Sequence, residues 1–206
     1  MTTYVRELLR GKTFGRSAMN AALSPWMQAC HGRWLDVGGG RLPSYVRLLS
    51  PACERVATDV QSEDTSQQLN ANAPFPYPDA SFDGAFALNM LYILEDPRMA
   101  LGEIRRVVRS GGRLIASFPF FFPEHPEPHD YHRWTREGVE RLLREAGYTD
   151  VQILPTGGPG TAFGMSLMPF RGSRFVRLCA APFIFLWDWC ARSSTTTCFW
   201  IVSCRV

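Results

Sequence analysis

Trp34-Leu35-Asp36-Val37-Gly38-Gly39-Gly40 is a short apolar run that delivers one acid and then consecutive glycines. A buried strand ending in this way places side-chain-free backbone at the carboxyl edge of an open parallel sheet, where ligands bind. Further on, the run Val56-Ala57-Thr58-Asp59-Val60 ends in a second acid, positioned to accept the hydroxyls of a ribose. The two segments together point to a nucleoside-containing cofactor. A dinucleotide fingerprint wants a small residue three places after its second glycine, and here that position is Pro43. Asp36 would also put negative charge where a pyrophosphate approaches, which disfavours a nicotinamide-dependent oxidoreductase. A cofactor with a cationic end suits that carboxylate better.

Outward from this turn, short apolar runs alternate with amphipathic segments, the pattern of an α/β fold with a largely parallel sheet. Strands are predicted at Arg33–Val37, Arg55–Val60, Phe82–Asn89 and Arg113–Phe118, with a short helix over Tyr45–Leu49 and mainly loop over 61–81. A helix opens at Asp96-Pro97 and is stopped by Ser110-Gly111-Gly112, its apolar face formed by Met99, Leu101, Ile104 and Val107. Thr135 reads as the N-cap of another helix, with Val139, Leu142, Leu143 and Ala146 as its buried stripe and Gly147 as its stop. Thr149–Leu154 and Cys198–Val206 read as strands, separated by a glycine-rich loop and a helix. The chain divides into an N-terminal helical segment (1–31), a cofactor-binding core (32–155) and a C-terminal loop, helix and closing strand (156–206).

Composition excludes several classes. The chain has 206 residues, 46% hydrophobic and 20% charged, as one globular domain with a sizeable core has. Net charge is +3 and the arginines are scattered, so no nucleic-acid partner is expected. Met1 to Lys12 lacks the apolar core of a secretory signal, and a cytoplasmic location is expected. The 6 cysteines include no C-x-x-C pair. The apolar run Leu178–Trp187 is too short to span a bilayer. Arg171–Cys190 reads either as a helix packed on the sheet or as an interfacial helix making peripheral membrane contact. Glu124, His125, His129, Asp130 and His132 could ligate a metal, but Pro126 and Pro128 break any helical register and no metal is expected. Phe118, Phe120, Phe121 and Phe122 read as strand core and an apolar acceptor wall.

The ordered series Leu35-Asp36-Val37-Gly38-Gly39-Gly40, Asp59, Pro76-Tyr77-Pro78-Asp79-Ala80-Ser81-Phe82-Asp83, Leu88-Asn89-Met90-Leu91, Glu103-Ile104-Arg105-Arg106-Val107-Val108 and Gly111-Gly112 resembles the class I S-adenosylmethionine-dependent methyltransferases, specifically the type-11 group. His129-Asp130-Tyr131-His132-Arg133-Trp134-Thr135 resembles a segment of many bacterial members. The resemblance covers about residues 33–155. It implies a Rossmann-like, open, mostly parallel seven-stranded sheet with an antiparallel last strand and helices on both faces. It implies S-adenosyl-L-methionine as cofactor, with Asp36, Gly38, Gly39 and Gly40 at its methionine end, Asp59 on the ribose, Asn70 near the adenine amine and Asn89 at the amino-acid part. Asn70 stands where relatives usually offer an acid, Tyr92-Ile93 where many have a glutamate-histidine pair, and Arg109-Ser110 where a lysine-proline is usual.

Methyl transfer to an O or N of a small-molecule, glycan-type or lipid-linked acceptor is the function so implied. The chemistry is in-line attack on a sulfonium methyl and asks mostly for positioning. His129 is the candidate general base, because imidazole titrates near neutrality, and Asp130 could orient it. Tyr131 and Arg133 would be substrate-side residues, Arg133 being suited to a carboxylate or phosphate. The rival to turnover is a protein that binds the cofactor without catalysing transfer.

Overall fold

The computed structural model describes residues 3–10, 12–62, 64, 67–124, 126, 129–166, 182–184, 186–187 and 197–206. Elements follow the order α1 (Thr3–Leu9), α2 (Phe14–Gln28), β1 (Gly32–Asp36), a 3-10 turn (Val46–Leu48), β2 (Cys53–Ala57), β3 (Phe82–Leu88), a second 3-10 turn (Leu91–Ile93), α3 (Pro97–Val107), β4 (Val108–Pro119), α4 (Arg136–Glu145), β5 (Thr149–Thr156), α5 (Pro159–Ser166) and β6 (Phe199–Arg205). The sheet order is β2-β1-β3-β4-β6-β5. Pairings from β2 through β4 are parallel, and β6 runs antiparallel to both β4 and β5. The reversed last strand is therefore present, but the described residues form six strands rather than seven. The polar stretch 61–81 lacks the apolar run a further strand needs, and contributes only an isolated parallel bridge between Asp59 and Gln68.

Strand β3 is buried almost throughout, as a central parallel strand covered on both faces should be. One face packs Leu101, Ile104 and Val107 of α3 and Val139, Leu142 and Leu143 of α4 onto the sheet. The other packs Met19, Leu23 and Met27 of α2 and Ala162 and Met165 of α5 against Trp34, Phe86, Ile115 and Ile201. Trp34 stacks on Phe86 with centroids 4.6 Å apart, and its indole occupies the space a side chain at residue 84 would fill. Both helix starts on the first face are capped: Asp96 accepts from the Arg98 N–H and Thr135 from the Gly138 N–H.

The helix expected over Tyr45–Leu49 is instead a single 3-10 turn over Val46–Leu48. Helix α2 covers that part of the sheet in its place. Helix α3 ends at Val107, four residues before Gly111, and Val108 already pairs with Phe82 in the sheet. Arg106 explains the conformation of 75–79: its guanidinium donates to the carbonyls of Phe75 and Tyr77 and to Asp79, while Glu103 accepts from the Phe75 N–H. Residues 171–190 lie mostly outside the described residues, as do Cys179 and Cys190; Cys30, Cys53 and Cys204 are free thiols. Among the described residues, no helix is long and apolar enough to cross a membrane.

Candidate functional site

The carboxyl ends of β1, β2 and β3 meet where the strand order reverses, the place at which open α/β sheets form a ligand crevice. The glycine turn leaves β1 here, with Gly38 and Gly40 at φ 69° and 62°, a backbone region that side chains disfavour. A Cβ on Gly40 would stand 3.1 Å from Oδ2 of Asp59, so the turn and the second acid face each other at close range. Beside them opens a polar cleft of about 610 Å³ whose lining includes Gly40, Arg41, Thr58, Asp59, Gln61 and Ser62. Its size is that of a small-molecule site. Asp59 is held by backbone bonds to Gln67 and Leu69 and accepts from the Gln61 N–H at 2.9 Å, leaving the carboxylate beside the cleft.

Asp36 lies behind the turn rather than on its surface. It is fully buried, and its carboxylate accepts from the Tyr45 hydroxyl at 2.7 and 2.9 Å and from the Arg55 guanidinium. Arg55 also donates to the carbonyls of Gly40 and Arg41. Burial pushes the Asp36 pKa above the ordinary aspartate value, with Arg55 and Tyr45 pulling the other way. The Tyr45 phenol is raised, first by burial and then by the Asp36 charge. The direct contact with a ligand expected of Asp36 is thus replaced by an interior role: the acid, Tyr45 and Arg55 shape the glycine loop. A Cβ on Gly39 would fall 2.3 Å from the Asp36 carboxylate, so this position must stay bare.

Asn70 is exposed and folds into an Asx turn, its side-chain oxygen accepting from the Asn72 N–H at 2.9 Å. Asn89 adopts φ 54°, and its oxygen and backbone N–H both bond the Ser117 hydroxyl, each at 2.8 Å. This pins the bend at the end of β3 to β4 beside it.

The segment 129–134 crosses the same edge. The Tyr131 N–H donates to the Tyr92 carbonyl at 3.0 Å, and the His132 ring bonds the Glu95 carbonyl at 3.2 Å. His129 is exposed, its ring centroid 5.3 Å from that of Tyr131. Asp130 and Arg133, expected on the catalytic and substrate sides, form an ion pair in which the carboxylate is only 3% exposed. Arg133 also reaches the carbonyls of Phe122 and Pro123 and lies over the Tyr92 ring. The hydrogen-bonded Asp130 carboxylate raises the Arg133 pKa further. The pair therefore clasps the loop. Phe118 is buried core, whereas Phe120 and Phe121 are 40% and 48% exposed and supply the apolar surface at this edge.

Tyr45, Arg55 and Tyr92 support this edge of the sheet and were missed by pattern reading. Arg55 and Tyr45 act through contacts that no local periodicity reports.

Residues 35–116 match the family described as methyltransferase domain. The chain is similar to an O-methyltransferase of Aspergillus sclerotiorum, 34% identical over 99 residues, covering 43% of this chain and 38% of the relative. It is likewise similar to an O-methyltransferase of Aspergillus nomiae, 34% identical over 148 residues, covering 59% of this chain and 66% of the relative. The chain thus spans less than two thirds of the length of either. A solved structure of a SAM-dependent methyltransferase from Archaeoglobus fulgidus superposes with a TM-score of 0.59 at 17% identity, covering 98% of each chain, a likeness of fold.

Proposed function

From the premise that residues 35–116 are a methyltransferase domain of the class I, S-adenosylmethionine-dependent family, we propose that the chain transfers a methyl group to a hydroxyl oxygen of a small-molecule acceptor. The observation that carries this reading is the Asp59 carboxylate beside the Gly40 turn, both lining a polar cleft at the switch point of the sheet. The residues fit the cofactor: the glycine turn offers backbone without side chains to its amino-acid end, and Asp59 offers a carboxylate to its ribose. Bound S-adenosylmethionine supplies a sulfonium-activated methyl group.

The protein's own part is to orient the acceptor oxygen for in-line approach and to take its proton. His129 is assigned the proton-accepting role, since it is accessible and tied through Tyr131 to the end of β3. Asp130 and Arg133 hold the loop that carries it. Oxygen is preferred over nitrogen as the methylated atom because the two curated relatives described above are O-methyltransferases. A second reading, cofactor binding without turnover, is favoured by one observation: Tyr92-Ile93 stands where many relatives carry a glutamate-histidine pair.

Calorimetric titration with S-adenosylmethionine, S-adenosylhomocysteine and NAD tests the assignment, with methyl incorporation into a panel of phenols and hydroxy acids as the second readout. Micromolar binding of the first two and not of NAD, weakened about tenfold in Asp59→Ala, is the expected result. A folded protein that binds neither methyl-cycle compound would overturn it. Donor binding with no methylated product across the panel would favour the non-catalytic reading.

A further inference from the structure

A second cavity, of about 410 Å³, opens at the other end of the sheet, where β1, β3 and β4 begin and β6 ends. The parallel strands β1 and β3 run from this cavity to the crevice, so the two openings lie at opposite edges. Trp26 at the end of α2, Trp34 of β1 and Ile115 of β4 give the cavity apolar walls. Arg109 and Arg113 of β4 bring cations to it, and Asp83 of β3 is the carboxylate that lines it. Both oxygens of that carboxylate are engaged: Oδ2 accepts from the Arg33 N–H at 2.6 Å and Oδ1 pairs with Arg109 at 2.8 Å. Arg113 donates to the Ser203 hydroxyl, a neutral group, at 2.9 Å. Arg205 stands directly opposite Arg113 in the β4–β6 ladder, which sets two like charges on one face of the sheet. Arg205 pairs with Asp150 at 3.1 Å, whereas no carboxylate among the described residues pairs with Arg113.

Like charges opposite each other across a ladder oppose its pairing, and an anion beside them relieves the repulsion. With Asp83 set against Arg109, the charge left over in the cavity is that of Arg113, so the ligand that fits carries one negative charge. A carboxylate meets a guanidinium fork in two parallel hydrogen bonds, and an aromatic ring suits indole walls. The volume falls within the range of small-molecule sites. We propose that this cavity is a second ligand site, separate from the crevice, which binds a small aromatic carboxylate with its acid on Arg113 and its ring against Trp26 and Trp34. The Trp34 wall is pre-formed: its ring stacks on Phe86 and its indole N–H donates to the His31 carbonyl at 2.9 Å. The carbonyls at the end of α2, whose partial charge repels an acid, are already bonded, Trp26 to the Cys30 thiol at 3.2 Å and Ala29 to the His31 ring at 3.3 Å. The site stands apart from the methyl-donor reading, which concerns the opposite end of the strands.

Cinnamate is the probe and cinnamamide its uncharged counterpart, each titrated calorimetrically into wild type, Arg113→Gln, Arg113→Lys, Ala29→Trp and Asp59→Ala. Wild type should bind cinnamate about tenfold more tightly than cinnamamide, and Arg113→Gln should lose that preference while binding cinnamamide as wild type does. Arg113→Lys should recover part of it. Arg113 is exposed, so Arg113→Gln should melt no lower than wild type. Ala29→Trp, a large side chain at an exposed position of the lining, should weaken both compounds. Saturating S-adenosylhomocysteine and Asp59→Ala should each leave cinnamate affinity unchanged. Competition by S-adenosylhomocysteine, or loss of cinnamate binding in Asp59→Ala, puts the acid in the crevice and overturns the second site. Wild type that does not bind cinnamate overturns it too, as does equal cinnamate binding by wild type and Arg113→Gln. If wild type binds no S-adenosylhomocysteine, the methyl-donor reading falls, while cinnamate titrated into wild type, Arg113→Gln and Ala29→Trp still decides the cavity.

Discussion

The Arg55 guanidinium lies between the Asp36 carboxylate and the carbonyl of Gly40, so one side chain neutralises the buried acid and holds the ligand-binding turn. Arg55→Ala leaves a fully buried carboxylate with Tyr45 as its remaining polar partner among the contacts described for it. A loss of about 3 kcal/mol or more in urea unfolding is expected, with Asp36→Asn/Arg55→Ala recovering a good part. The pH dependence has a definite sign. Burial already raises the folded Asp36 pKa above its unfolded value, so its contribution to stability is present at acid pH and is lost as pH rises through the folded pKa. Removing Arg55 raises that pKa further. The deficit of the variant should be largest at and above neutral pH and shrink as pH falls toward about 4, the ordinary aspartate value.

Gly40→Ala should cost about 1 kcal/mol of stability, since φ 62° penalises a side chain. Its larger effect should be on ligand: the new methyl would sit 3.1 Å from Asp59 Oδ2 and narrow the cleft. Calorimetry with S-adenosylhomocysteine should show an affinity loss greater than the change in unfolding free energy.

His129 and Asp130 are adjacent but should fail differently. His129→Ala should leave melting and donor affinity unchanged and lower kcat by about a hundredfold, most visibly below the pKa of the acceptor hydroxyl. Asp130→Asn should release Arg133 and loosen 122–133, seen as faster hydrogen exchange there and as a raised acceptor KM. Full turnover in His129→Ala would remove it as the base.

Glu7 is fully buried, accepts from Asn20 at 2.6 Å and pairs with Arg47, so one carboxylate joins α1, α2 and the β1–β2 connection. Glu7→Ala should cost about 2 kcal/mol, because it strands an amide and a guanidinium. Hydrogen exchange should show α1 opening before the sheet does.

What was legible in the sequence followed from local pattern. Trp34–Gly40 and Phe82–Leu88 announce buried strands by continuous apolarity, and Pro97–Val107 announces a helix by its spacing. Asp59 could be placed because the end of a strand is itself a location in an open sheet. The interior roles of Asp36, Tyr45 and Arg55 were not legible, since they depend on β1 pairing in register with β2, Trp34 beside Arg55. The short helix expected at Tyr45 failed because apolar content there serves packing against α2 from outside the segment. Arg133 resembled a free substrate-binding group because its partners, the Asp130 carboxylate and the carbonyls of Phe122 and Pro123, come together only in the folded loop.

The insertion of β6 between β4 and β5 has a consequence for synthesis on the ribosome. While residues 199–205 are still in the exit tunnel, β4 has an unfilled edge and β5 has no neighbour in the sheet. The nascent chain must hold two strand edges open until its closing segment arrives, a state prone to pairing with other chains. A premature stop codon or frameshift before residue 199 would remove a strand from inside the sheet, and such products should accumulate as aggregate.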